Sequence, residues 1–223
     1  MAGWHLDFFA VDGSLGGFVR LLLGEQAEYW ACLMGGDRDP VVVIDRDLPL
    51  PKPGSLELRG SGVWTELACL RPYEHFTVQL EAFGAGLGAG EPAHPEMRGD
   101  RVPLGFDLEW ESQPSDLVGD EERYALPCAV HGEILVCSER IDFDGHGVWR
   151  CGAGFDHDGC RAWARIDDGR WLLGEPGSGG NAELRIQREA PDSVLVRRLG
   201  RVRAASGRAA TGWTECCQPI KES

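Results

Sequence analysis

Arg101-Val102-Pro103-Leu104-Gly105-Phe106-Asp107-Leu108-Glu109-Trp110-Glu111, Cys128-Ala129-Val130-His131-Gly132-Glu133-Ile134-Leu135-Val136 and Ile141-Asp142-Phe143-Asp144-Gly145-His146-Gly147-Val148-Trp149 decide the fold. From Phe106 the first segment alternates strictly, with Phe106, Leu108 and Trp110 on one side and Asp107, Glu109 and Glu111 on the other. A period of two is that of a strand with one apolar and one polar face. Cys137-Ser138-Glu139-Arg140 joins the later two segments as a short polar link, the mark of a hairpin. The centre of the chain therefore reads as antiparallel sheet with acids and histidines on its polar face.

The same signals run outward in both directions. Leu6–Val11, Phe18–Leu23, Glu28–Met34 and Val41–Asp45 read as strands, with Asp12-Gly13-Ser14-Leu15-Gly16-Gly17 as the first turn. Pro49, Pro51 and Pro53 interrupt the chain. Leu56–Arg59, Val63–Leu70 and Tyr73–Phe83 read as a meander. Gly84-Ala85-Gly86-Leu87-Gly88-Ala89-Gly90 resembles a dinucleotide-binding loop, but Glu91-Pro92-Ala93-His94-Pro95 follows where a helix must begin, so it reads as a surface loop. Asp167-Asp168-Gly169 marks a further hairpin, and Ala182–Arg188, Ser193–Ala204 and Arg208–Cys216 complete the sheet. No segment sustains a 3.6-residue apolar period. The expected fold is all-β, a lipocalin-like antiparallel barrel or sandwich of about fourteen short strands. The polar seam Ser112–Glu122 divides it into halves 1–118 and 119–223.

The 223 residues carry a formal net charge of −14, which disfavours nucleic acid and anionic membrane surfaces as partners. No stretch reaches the roughly 20 apolar residues of a membrane-spanning helix, and Met1-Ala2-Gly3-Trp4-His5-Leu6-Asp7 does not read as a signal peptide. The eight cysteines are scattered without a Cys-x-x-Cys pair. They read as reduced, mostly buried thiols of a cytoplasmic protein, with neither metal nor cofactor expected.

Phe8–Phe18, Gly99–Trp110 and Ile141–Gly147 resemble actinobacterial relatives of the carotenoid 1,2-hydratase (hydroxyneurosporene synthase) lipocalin-like superfamily. Gly212-Trp213-Thr214-Glu215 with Gln218-Pro219 resembles that group's ending. The resemblance implies two lipocalin-like β-domains and an apolar ligand pocket. It also implies kinship with isoprenoid hydratases and with cofactor-free cyclases of the Diels-Alderase kind. Trp149-Arg150-Cys151-Gly152 stands where relatives carry His-Ser-Trp-Gly-x-Arg, and the region after it is shortened.

Several constellations carry chemistry. Asp142, Asp144 and His146 share one strand face, as do Asp107, Glu109 and Glu111. The first set is a solvated face, a metal site or a proton-transfer group, and the second a solvated face or a proton-transfer group in a pocket. Asp156-His157-Asp158 repeats the ingredients in a turn. Trp64 with Glu66, Trp213 with Glu215, and His131 with Glu133 place two side chains on one side of a strand, the wall-plus-polar-group pattern of a pocket. Seven arginines from Arg185 to Arg208, against Glu189 and Asp192, pair with acidic strands or meet an anionic group. The expected catalytic residues are Glu66, Glu109, His131, Asp144, His146 and Glu215, with Trp64, Trp110 and Trp213 as substrate-binding walls. The expected function is a cofactor-independent cyclase or hydratase acting on a hydrophobic polyketide or isoprenoid. The alternative is a non-catalytic binding protein for an apolar metabolite. The expected partner is a hydrophobic small molecule, with a homodimer compatible.

Overall fold

The computed structural model describes residues 2–88, 90–97, 99–120, 123–152, 160–188 and 193–219. Its strands are β1 (Ala2–Ala10), β2 (Leu15–Leu23), β3 (Ala27–Gly35), β4 (Arg38–Leu48), β5 (Glu57–Gly60), β6 (Val63–Arg71), β7 (His75–Gly86), β8 (Pro92–Ala93), β9 (Arg101–Glu111), β10 (Val118–Gly119), β11 (Tyr124–Val136), β12 (Glu139–Cys151), β13 (Cys160–Ile166), β14 (Trp171–Gly179), β15 (Ala182–Arg188), β16 (Ser193–Ala204) and β17 (Ala209–Pro219). Pro114–Asp116 forms a single 3-10 turn, and no α-helix occurs among the described residues. No helix there is long and apolar enough to cross a membrane.

The chain is all-β, with an eight-stranded antiparallel barrel and a second sheet. The barrel runs β1-β2-β3-β4-β7-β9-β11-β12 and closes where β12 pairs back onto β1. The β4–β7 contact is narrow, Val41 opposite Gly86 and Val42 opposite Ala85. The β5–β6 hairpin covers the remaining edge of β7. Closure leaves few unpaired edges, which is how an antiparallel sheet of this size avoids edge-to-edge association. The second sheet runs β14-β13-β17-β16-β15-β8. The last residues of β14 cross to pair with β16, curling the sheet over Ala162, Ala164, Ile166, Leu172, Val202, Ala204 and Ala210. The barrel strands run to Cys151 rather than ending at residue 118, because β11 and β12 close the barrel, and every strand of the second sheet except β8 follows them.

The strand sequences differ according to how many faces are covered. On β9 and β12 alternate residues face water, hence the clean alternation. The outward residues of β1 to β4, Phe9, Phe18, Trp30, Cys32, Met34 and Val42, pack against Leu184, Ile186, Leu199 and Trp213 of the second sheet. Strands buried on both faces read as near-continuous apolar runs, which explains Trp30–Met34 and Val41–Ile44. Leu87, inside the glycine-rich stretch that reads as a surface loop, is buried in this layer together with Ala93, Gly84–Gly86 belong to β7, and β8 pairs with β15.

Side chains fill the barrel interior, among them Phe8, Tyr29, Phe106, Trp110, Phe143 and Trp149. The Asp-Gly-His-Gly motif of β12 serves this packing. A Cβ on Gly147 would lie 2.1 Å from the Asp7 carbonyl oxygen and 2.8 Å from Trp110 Nε1. Glycine there lets the Trp110 Nε1–H donate to Asp7 O at 3.0 Å. The polar members of the motif point out and the glycines point in.

Four buried charges fasten the second sheet to the barrel: Asp7 (β1), Arg150 (β12), Arg197 (β16) and Glu215 (β17). Arg150 Nη2 donates to Asp7 Oδ2 at 2.7 Å and Glu215 Oε1 at 3.0 Å, and its Nη1 to Glu215 Oε2 at 3.1 Å. Arg197 Nη2 pairs with Asp7 Oδ1 and lies 3.0 Å from Glu215 Oε1. The signs alternate around a closed ring, so each charge has two opposite neighbours and the cluster is neutral. Aromatic rings complete it, with Arg150 4.2 Å from the Trp163 ring and Arg197 between Phe18 at 4.2 Å and Trp213 at 4.5 Å. Four other arginines of the basic segment find acids: Arg185 and Arg198 pair with Glu183, Arg201 with Asp167, and Arg208 with Glu175, while Arg203 donates to the Gly207 carbonyl oxygen.

The expectation of uniformly reduced thiols is corrected at one pair. Cys160 and Cys216 lie directly opposite on β13 and β17, 4.2 Å apart at Cα, and are disulfide-bonded. Their partnership is invisible in the sequence because 56 residues separate them.

Glu215→Gln or Asp7→Asn leaves a buried guanidinium under-compensated. Each is expected to cost about 3–5 kcal/mol of stability, read as a lowered urea midpoint, against under about 0.5 kcal/mol for the surface change Glu66→Gln. His5, 2.9 Å from Asp7 Oδ1, supplies a pH signature. Burial, then the Arg150 charge, lower its pKa from 6.5 to about 4. The folded state keeps the imidazole neutral while the unfolded chain takes up a proton, so stability falls as pH drops from 6.5 towards 4. The whole effect is about 3 kcal/mol. Asp7 contributes only at lower pH: burial would raise its pKa, but Arg150 and Arg197 outweigh it and hold the carboxyl below its ordinary range. Urea midpoints measured across this window should fall for the wild type and flatten in His5→Gln.

Candidate functional site

Strand register assembles the polar groups on the outer barrel face that the second sheet leaves uncovered. One transverse row runs Glu57, Glu66, Gln79, Asp107, Glu133 and Asp142 across β5, β6, β7, β9, β11 and β12. The next contains Thr77, Glu109, His131 and Asp144. A third contains His75, Glu111, Ala129 and His146. The acids of β9, the histidine of β11 and the acid–histidine face of β12 thus form one surface.

Within it, His75 Nε2 lies 2.6 Å from Glu109 Oε2, and His131 Nε2 lies 3.8 Å from the same oxygen. Glu111 stands opposite His75 across the β7–β9 ladder. A polar cleft of about 430 Å³ opens beside them, lined by His75, Glu111, Arg71, Ser112, Arg165 and Trp171, so β13 and β14 supply one of its walls. His146 packs edge-on to Phe9 and Trp171, with ring centroids 6.1 and 5.9 Å away. Burial, then the Arg165 charge, lower the His146 pKa, and Asp144 opposes them.

At the other end of the same face lies an apolar cleft of about 600 Å³. Trp64, Phe83, Pro103, Leu104 and Leu135 line it, with Glu81 and Ser138 as polar members. Phe83 and Leu135 remain 54% and 47% exposed. Arg101 lies 4.9 Å above the Phe83 ring. Trp64 Nε1 donates to Glu57 Oε1 at 2.9 Å, which fixes the indole against the cleft wall.

The expected site residues therefore separate into two groups. Glu66, Glu109, His131, Asp144 and His146 share the outer face, with Trp64 at its apolar end. Trp110, Trp213 and Glu215 lie elsewhere. Trp110 is fully buried in the barrel core, and Trp213 is fully buried between the sheets, donating to Phe8 O at 3.2 Å. Glu215 belongs to the four-charge ring and accepts from Trp163 Nε1 at 3.0 Å. None of the three lines either cleft, and their burial is accounted for by packing and ion pairing. The grouping of His5, Asp7 and Glu215 is likewise not a metal site, since Arg150 and Arg197 occupy the space between the carboxylates. Asp156-His157-Asp158 lies outside the described residues. Sequence reasoning missed His75 as a site member, and Glu81, Phe83 and Leu135. Only register with strands tens of residues away gives them neighbours.

A protein-family comparison matches residues 3–179 to the Domain of unknown function (DUF7064). No curated protein and no solved structure matches the chain.

The charges around His146 can be tested directly. In an NMR titration of its ring, Arg165→Gln should raise the His146 pKa by removing a repelling cation, and Asp144→Asn should lower it further.

Proposed function

The chain belongs to the DUF7064 family, and for this member of it we propose a binding function, with a partly oxygenated apolar small molecule held in the cleft at the apolar end of the outer barrel face. The observation that carries the reading is the cleft of about 600 Å³ walled by Trp64, Phe83, Pro103, Leu104 and Leu135. Large apolar side chains left half in water around a concave surface are a mark of a ligand or partner site. Glu81 and Ser138 supply polar handles in the same cleft. A filled barrel core supports placing the ligand outside rather than in a lipocalin-type interior. This is the alternative the sequence raised, moved to another surface.

The cyclase or hydratase reading is narrower and rests on the same cleft. It adds a proton donor, for which Glu81 within the cleft and Glu66, two residues beyond Trp64, are the carboxylates in position. An open cleft favours binding over the enclosed conformational control that a cyclase needs.

The test is a titration with all-trans-retinol followed by tryptophan fluorescence. The wild type should bind, and Phe83→Ser and Leu135→Ser should each weaken binding at least tenfold with melting temperature unchanged. Equal binding by both variants would place the site elsewhere.

A further inference from the structure

We propose that His75, Glu109 and His131, with Glu111 as a fourth donor, form a binding site for a divalent transition-metal ion on the outer barrel face. The observation is the convergence of two imidazoles from β7 and β11 on one oxygen of a glutamate from β9, the strand between them. His75 Nε2 and His131 Nε2 are 2.6 and 3.8 Å from Glu109 Oε2. Donor atoms of His75, Glu109 and Glu111 all lie within 4.8 Å of one another.

Donor atoms bound to one ion at about 2.1 Å sit roughly 3 Å apart. His75 and Glu109 need to separate by a few tenths of an ångström, and His131 to approach by somewhat more. The strands beneath are fixed by ladder pairing, Thr77 opposite Glu109 and Glu109 opposite His131. His75, Glu109 and Glu111, with donor atoms all within 4.8 Å of one another, therefore start close to a ligating arrangement, and His131 stands beside Glu109 from the β11 side. His131 and Glu109 are 45% and 41% exposed, so an ion reaches them from solvent, whereas His75 at 16% is held by its surroundings.

Two imidazoles with carboxylate suit zinc, iron, cobalt or nickel rather than calcium or magnesium, which take oxygen ligands. The cleft of about 430 Å³ lies against His75 and Glu111, leaving coordination positions for water or a ligand oxygen. Arg71 and Arg165 on its walls favour an anionic oxygen donor there. No metal-ligand spacing is visible along the chain because the ligands come from three separate strands.

Zn²⁺ alone is the first probe, titrated calorimetrically into untagged protein carrying Cys69→Ser and Cys137→Ser, which removes the exposed thiols. The expected result is one ion bound at about micromolar affinity or better. His131→Ala and Glu109→Gln should each weaken binding at least tenfold, while His146→Ala, on the same face but outside the cluster, leaves it unchanged. Co²⁺ should give a visible spectrum without a thiolate charge-transfer band. Absence of Zn²⁺ binding, binding unaffected by His131→Ala and Glu109→Gln, or a thiolate band would each overturn the proposal. The retinol titration reads a different cleft, so each proposal can fail alone.

Discussion

The arrangement of the two sheets depends on a ring of four buried charges. Asp7 and Arg150 stand on adjacent barrel strands, and Arg197 and Glu215 on adjacent strands of the second sheet. Taking four ions out of water costs several kcal/mol per ion, and only close, alternating pairing offsets that cost. The ring is therefore weak as a source of net stability but strong as a constraint. A slip of either sheet by one residue would turn its charges to the opposite face and leave the partners uncompensated. The apolar layer around it, Phe9, Phe18, Trp30 and Met34 against Leu199 and Trp213, supplies the bulk of the attraction without fixing the register.

That docking determines where chemistry is available. One side of the barrel, over β1 to β4, is consumed by the second sheet. The interior is consumed by aromatic packing, made possible by glycines such as Gly147 that let Trp110 and Phe8 approach the opposing backbone. The outer face of β6, β7, β9, β11 and β12 is what remains. It grades from an apolar end at Trp64, Phe83 and Leu135, through the acidic row of Glu66, Asp107, Glu133 and Asp142, to the histidine end at His75, His131 and His146. Carboxylates side by side on a sheet repel one another. Arg140 relieves the row at Glu133, and Gln79 donates to Asp107 at 3.3 Å.

The alternation of Phe106 to Glu111 and the acid–histidine alternation of Asp142 to His146 were sufficient to identify solvent-facing strands of an antiparallel sheet. The continuous apolar runs of β3 and β4 carried, in the same pattern, the information that a second layer covers them. Trp64 and Glu66 share a face, and so do Trp213 and Glu215, as period two requires. One pair points outward and the other into the inter-sheet layer, a distinction that no local pattern contains.

Legible from the residues alone are the all-β class, which residues of each strand share a side, and which residue types could carry chemistry. Those are local properties, set by side-chain alternation and turn preference within a few residues. Tertiary structure alone decided which side faces the core, the second sheet or water. It also decided that Cys160 meets Cys216 and that Glu215 meets two arginines. His75, Glu109 and His131 gather at one point only through strand pairing between segments far apart in the chain. Register and closure are set by the summed packing of the whole barrel, and no single stretch encodes them.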